Sequence, residues 1–446
     1  MTYRTYLFAI SMGLSSYAYG TANITLDSSS FMYQSNARGT SATSVSAGYE
    51  GSFETSALGG QALGKVDASA ITYLNNKPTA AYNPKELYAG LHYDLNSDTA
   101  LELNVGRRIY EWSKVDQEWQ MMSLWSPRFT WDELHPETVG LTGAFLEFKN
   151  KNLQILAYGS PIAIPEMGTP VTQENNNIVS PNPFWHPLPT QLPVQGVQTN
   201  LQYTLATPSI QSILLRPNAA LRIKGKLDNG LWSSVNAGVM PVNITEMAAE
   251  YYADSSSANV PAQVIIRPEF PMRTIYTGEL GYDSPTHDWN LWLSGSHEEP
   301  FNFQNQITWL NPVITPATVL SSGAGVQLTP KFWFNGGVIF IHEDSYITAA
   351  NAPNVSVSLP SRFPLKQGVK VGGTWRLGDN DQSNLTWIQD LINQNHFISA
   401  DYQHRIRSSN LLIGVGADVM IAESATGWVG QYYGDDRVRG WLKYAF

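Results

Sequence analysis

The chain has 446 residues, no cysteine, a formal net charge of −10, and only 14% charged residues against 12% aromatic. Without cysteine, thiol catalysis, zinc-thiolate sites and disulfide staples are excluded, and the acidic balance argues against a nucleic-acid partner, whose phosphates call for clustered Lys and Arg. Low charge with many Trp and Tyr suits aromatic girdles at two membrane interfaces better than a soluble surface.

The first residues have the pattern of an export signal. Arg4 gives a positive start, residues 6–14 a short apolar core, and Ala18, Tyr19 and Gly20 a small-residue site for cleavage before Thr21, with cleavage after Ala22 equally compatible. The expected division is a signal peptide over 1–20 and a single unit over 21–446. No later run reaches the roughly 18 apolar residues of a transmembrane helix. A membrane location would have to be built from strands closed into a barrel, where every backbone polar group finds a partner.

Residues 21–40 are polar and without period, so no element is expected there, and weak strands follow at 42–49 and 66–74. The signal then sharpens. Leu87, Ala89, Leu91, Tyr93 and Leu95 alternate with Glu86, Tyr88, Gly90, His92 and Asp94; after an Asn96-Ser97-Asp98 turn, Leu101, Leu103 and Val105 face away from Glu102, Asn104 and Arg108. Such a hairpin has one dry face and one wet face. Residues 144–148 and 153–157 pair across Asn150-Lys151-Asn152, and 197–205, 221–227, 231–239, 276–282 and 289–295 repeat the pattern. The C-terminal third reads almost wholly as strand, at 324–329, 332–342, 366–377, 385–389, 396–407 and 411–421. Most are close to the roughly 9–11 residues of a tilted crossing. The count is 16 or 18, since bacterial barrels close on an even number, with 210–215 the segment that could add a crossing.

Connections alternate in length. Those at 228–230, 284–287, 329–331, 378–383 and 407–410 are tight, whereas 241–272, 298–322, 344–365 and 422–436 are long, as expected of short periplasmic turns and longer external loops. Two insertions stand apart. Residues 111–140 carry Trp112, Trp119, Trp125 and Trp131 with Arg128 and several acids; residues 160–195 carry Pro181, Pro183, Pro187, Pro189 and Pro193 around Trp185, too many prolines for a helix or a central strand. Aromatic faces beside carboxylates suit contact with a sugar or a cation. These five tryptophans and Arg128 are therefore candidate constriction or solute-contacting residues, against the competing reading of an aromatic girdle or packed loop.

At its end the chain has Val438, Gly440, Leu442, Tyr444 and Phe446 at alternate positions, with Arg437, Arg439, Trp441, Lys443 and Ala445 between them. This apolar row closes on a terminal aromatic residue, and lipid is its candidate neighbour. The pattern resembles the C-terminal assembly signal of bacterial outer-membrane β-barrel proteins of the porin type. The resemblance implies an all-β fold, a transmembrane antiparallel up-and-down barrel in a Gram-negative outer membrane. It also implies outer-membrane lipid and the barrel-assembly machinery as partners, and a homotrimer as a common assembly.

On the same alternation Arg108, Arg222, Lys224, Lys226, Lys370, Arg376, Arg405, Arg407, Arg437 and Arg439, with Lys443, fall opposite the apolar face. If that face lines a lumen, their excess over Glu86, Asp94, Glu102, Glu147, Glu279, Asp401 and Asp418 favours small anions; equally, the two signs could neutralise one another in a packed network. No HExxH, GxSxG, phosphate-loop or dinucleotide-binding spacing occurs. His342-Glu343-Asp344 is the best acid and base cluster, and a solvated rim is the usual meaning of such a triplet. No cofactor, metal or nucleic acid is expected. The expected function is a passive porin-type channel for small hydrophilic solutes, with a bias towards anions or sugars, and not an enzyme. A non-transporting barrel whose external loops bind a partner, and an outer-membrane hydrolase, are the alternatives.

Overall fold

The computed structural model describes residues 19–446 except 33–42, 58–59, 75–79, 253–260, 302–314, 344–362, 407–408 and single or paired positions in other loops. Eighteen strands form one closed sheet. In chain order they are β1 (Tyr19–Phe31), β2 (Thr43–Ala57), β3 (Gly60–Tyr73), β4 (Ala80–Asn96), β5 (Thr99–Arg108), β6 (Leu141–Asn150), β7 (Leu153–Ser160), β8 (Asn218–Lys226) and β9 (Leu231–Pro241). The second half is β10 (Met272–Asp283), β11 (Trp289–Phe301), β12 (Ala317–Thr329), β13 (Phe332–Glu343), β14 (Gln367–Arg376), β15 (Asp381–Asp390), β16 (Asn395–Arg405), β17 (Leu411–Ile421) and β18 (Arg437–Ala445). Each pairs antiparallel with the next, and β1 returns to β18 from Asn23↔Ala445 to Phe31↔Arg437. The barrel is therefore the expected one, at the larger strand count.

Its polarity is inverted relative to a soluble protein. Along β10, Arg273, Ile275, Thr277 and Glu279 are buried while Tyr276 and Leu280 are exposed; along β9, Trp232, Ser234 and Asn236 are buried while Leu231 and Val235 are exposed. Leu221, Ile223, Leu291, Leu293, Leu320, Phe340, Ile413, Val415, Val438, Leu442 and Tyr444 continue the exposed apolar row around the cylinder. Rows of this size on the outside require hydrocarbon as their surroundings. Among the described residues no helix is long and apolar enough to cross a membrane.

Tight turns hold one end. The Asn150 side chain accepts the backbone N–H groups of Asn152 and Leu153, the Asn96 side chain that of Asp98, and the Asn229 side chain that of Leu231. These are the local hydrogen bonds for which Asn is favoured in turns. Gly230 adopts φ +94°, and a Cβ there would lie 2.0 Å from the Asp283 carbonyl oxygen. Only glycine fits that turn.

Several expectations need correction. Residues 21–31, expected to be unstructured, belong to β1; its inward row is polar, with Asp27 and Ser29, and Ser28 and Ser30 interrupt its outward apolar row, so little period shows. Pairing with β2 and β18 holds it. Residues 1–18 of the expected export signal lie outside the described part, while Tyr19 and Gly20 begin β1. The segment Val197–Leu205, read as a crossing, belongs to a separate four-stranded sheet with Gln191–Val194, Ala262–Glu269 and Glu246–Tyr252, pairing in parallel with Ala262–Glu269. Alternation alone does not say which sheet a strand joins. Finally, 210–215 is no crossing but the short helix Ile210–Leu214, capped by the Ser209 hydroxyl. Pro193, in a segment judged too proline-rich for a central strand, sits in an edge strand of the small sheet, where its missing N–H is tolerated.

Candidate functional site

Residues 109–140 join β5 to β6 and turn into the cylinder. A single-turn helix, Lys114–Glu118, starts them; the Ser113 hydroxyl accepts the Asp116 N–H, and the Asp116 carboxylate accepts the N–H groups of Leu124, Trp125 and Ser126. Asp116 thus bends the chain back on itself. Arg128 fastens the same bend, donating to the carbonyls of Met122 (2.8 Å) and Asp116 (2.8 Å). A two-residue ladder between Arg128–Phe129 and Glu137–Thr138 then turns the segment towards β6.

Anchors to the wall run around the cylinder. Trp125 Nε1 donates to Thr277 Oγ1 on β10 (2.9 Å), Trp119 Nε1 to Ser321 Oγ on β12 (3.0 Å), and Asn236 on β9 to the Trp112 carbonyl. Lys370 on β14 donates to the Glu118 carbonyl, Tyr73 on β3 to the Trp131 carbonyl (3.2 Å), and Arg437 on β18 to Asp132 (2.7 Å). Only a segment inside the barrel reaches all of these walls. It forms a plug.

The plug is packed like a protein core. Trp112 and Trp125 stack at 5.3 Å, Trp112 meets Tyr158 edge-on, and Met122, Leu124, Phe145, Leu156 and Ile275 fill the space around them. Trp131 stacks with Tyr73 at 5.4 Å and with Phe129 at 6.4 Å. Trp112, Trp119, Trp125, Trp131 and Arg128 are each at most 1% exposed, so they fill space between plug and wall. Trp185 is apart from them, against the core of the four-stranded sheet with Ile178, Leu201 and Val264.

The strand cations are largely neutralised. Arg108 pairs with Glu102; Arg437 with Asp132 and Asp418 (2.6 Å); Arg439 with Asp401 (2.7 Å) and Asp418 (3.0 Å); Lys226 with Asp283 (3.3 Å). Arg222 is buried with Glu279, Glu111 and Glu147 as the acids around it, and Lys224 lies over the Trp232 ring at 4.7 Å. Arg376 and Arg405 are exposed at the tight-turn end, and Arg407 lies outside the described residues. Sequence reasoning missed Arg107, which is buried beside Gly106 (φ +132°) and donates to the Gly140 carbonyl, and Arg273, which pairs with Glu298 and holds the Leu124 carbonyl. Of the His342-Glu343-Asp344 triplet, Asp344 lies outside the described residues, Glu343 points inward to Lys366 (3.4 Å) and His342 is on the outward face.

Buried acids gather where the plug meets residues 161–168, which run beside it through an isolated bridge between Phe129 and Met167. Burial pushes Glu133 up to about 8, with the charges of Glu166 and Asp132 adding to the effect. Burial likewise pushes Glu166 up to about 7, against hydrogen bonding from Thr130 and the charge of Arg128. For Asp132 burial acts upward too, but Arg437 and His135 outweigh it and hold its carboxyl below the usual range.

Between the plug and the wall of β18, β1, β2 and β3 remains a cavity of about 240 Å³. Asp27, Ser29, Ser44, Ser46 and Arg439 form its wall side, and Trp131, Asp132, His135 and Glu137 its plug side. The side chains of Ser29 and Ser44 meet at 2.6 Å, and Ser46 donates to Asp27 at 2.9 Å. Of the wall residues, only Arg439 stood out in the sequence; short polar side chains give no signal until the barrel closes.

No known protein family and no curated protein sequence matches this chain. Solved structures do. OccK2 (OpdF) of Pseudomonas aeruginosa aligns over 96% of this chain and 97% of its own at a TM-score of 0.52 and 9% identity. The fold is that of an outer-membrane porin. OccAB1 of Acinetobacter baumannii is similar over 96% of both chains at 10% identity and a TM-score of 0.52, and a second structure of OccK2, in complex with glucuronate, over 96% of both at 9% and 0.51. At such identity the porin likeness is one of fold.

Proposed function

We propose that this porin-fold barrel is a passive diffusion channel for small hydrophilic solutes. The supporting observation is the division of the lumen: a packed plug is anchored to strands around the cylinder, and a polar slot, a cavity of about 240 Å³, is left beside it. Trp112, Trp119, Trp125, Arg128 and Trp131 set the pore size by filling space, while Lys224, Lys226 and Arg439 line the water-filled part. Trp185 serves the external sheet. In this reading the apolar outer rows sit in outer-membrane lipid, residues 1–20 are a cleaved export signal, and β18 is the segment handed to the assembly machinery. The decisive experiment is insertion of the folded full-length protein into planar bilayers. Discrete current steps are expected, in threes if the barrel assembles as a homotrimer; folded protein without current overturns the channel. A solute panel in liposome swelling then ranks neutral sugars, sugar acids and amines.

The four-stranded sheet favours a second reading, in which the long connections bind a partner and nothing crosses. Missing current together with retained binding to a cell surface would select it.

A further inference from the structure

The slot can be balanced charge by charge. Arg439, the cation at its wall, is held by Asp401 and Asp418, and Arg437 behind it by Asp132 and Asp418. Two arginines therefore face three aspartates. Glu137 is matched by Lys85 at 3.1 Å. Asp27 has a hydroxyl, Ser46, as its hydrogen-bonding partner, and no salt bridge to it is found among the described residues. His135, on the plug side, faces Asp418 at 2.9 Å, so the carboxylate of the slot left without a cationic partner among the described residues is Asp27, in the gap between plug and wall. A tally of strand cations does not show this, because most of those cations are already matched by acids.

We propose that the slot between the plug and the β18–β1–β2 wall is a cation-selective filter, with Asp27 as the residue that sets its sign. The proposal rests on the channel reading above and goes beyond it. Fixed charge at a constriction sets the sign preference of a pore because ions pass within a few ångströms of it, with little screening water between. Asp27 lies midway along β1, and its inward orientation follows from the strand period, with Leu26 and Ser28 exposed on the other face. An amine or the ammonium end of a zwitterion passes such a slot more readily than a carboxylate does.

The test is the reversal potential of single channels across a potassium chloride gradient. The wild type should favour potassium. Asp27→Asn, nearly isosteric, should lower the potassium-to-chloride permeability ratio roughly sevenfold, since one unit charge about 7 Å away in water shifts the cation and the anion about threefold each in opposite senses. Ser29→Lys, which leaves Asp27 in place, should lower it as well and guards against a folding effect at Asp27; heat-dependent gel migration confirms that both variants fold. A chloride-preferring wild type, or an unchanged ratio in both folded variants, overturns the filter while leaving the channel standing. Folded protein without conductance removes both.

Discussion

The two sides of the lumen are built on opposite principles. On the β6–β14 side the plug meets the wall through large apolar groups, with polar anchors at Asn236, Thr277, Ser321 and Lys370 among them. On the β18–β3 side Arg437 and Tyr73 hold the plug at Asp132 and Trp131, and beside these contacts serines and charged groups face a gap. The difference lies in side-chain volume. Where the wall offers Phe145, Leu156, Tyr158 and Ile275, the tryptophans of the plug find partners; where it offers Asp27, Ser29, Ser44 and Ser46, none is large enough to close the space. A polar cavity is thus left beside the plug, and its chemistry comes from the wall that the plug does not fill.

This contrast can be broken most drastically by replacing residues 113–138 with a short flexible linker. Single-channel conductance should rise severalfold and selectivity should fade; unchanged conductance would mean that the plug does not limit the pore. Next in size is Arg437→Ala, which takes from Asp132 its arginine and leaves buried Asp418 with Arg439 as its one arginine. Losing one partner of such a group costs about 3–5 kcal/mol, and denaturant unfolding followed by tryptophan fluorescence should show it. Trp125→Ala should cost about as much, about 3–5 kcal/mol for a large buried aromatic residue, and should also make the current noisy, because the plug loses both its stack on Trp112 and its bond to Thr277.

A smaller effect is expected from pH. Glu133 and Glu166 are raised when the plug is packed, so packing is favoured most below the ordinary carboxylate range and weakens as pH rises towards about 7 for Glu166 and about 8 for Glu133. Mean current should therefore grow between acid and mildly alkaline pH, and Glu166→Gln should flatten the response. A current that falls over that range would contradict the assignment. The smallest change belongs to Lys151→Ala at the turn end, which removes an exposed pair with Asp228; exposed pairs contribute little, and unfolding should be indistinguishable from wild type.

Legibility followed the strength of the period. β8, β9, β10 and β18 could be read because every second residue is large and apolar, which only a strand between water and hydrocarbon demands. β1 could not, since Ser28 and Ser30 interrupt its outward row, and only the partners on either side hold it in place. Val197–Leu205 shows the opposite failure: its alternation is good, yet it belongs outside the barrel. At the site, Trp112, Trp119, Trp125, Arg128 and Trp131 stood out by composition and do come together. Asp27, Ser29, Ser44 and Ser46 carry no mark of their own.

The alternation of side chains and the lengths of the connections by themselves determined that this chain is an all-β barrel, close to its number of strands, with one apolar and one polar face to each crossing, because the two faces of a strand are set by local geometry. Where the plug lies, which charges are cancelled and where the remaining gap runs were decided by tertiary structure. Those depend on residues far apart in the chain, such as Asp132 and Arg437, meeting inside a closed cylinder.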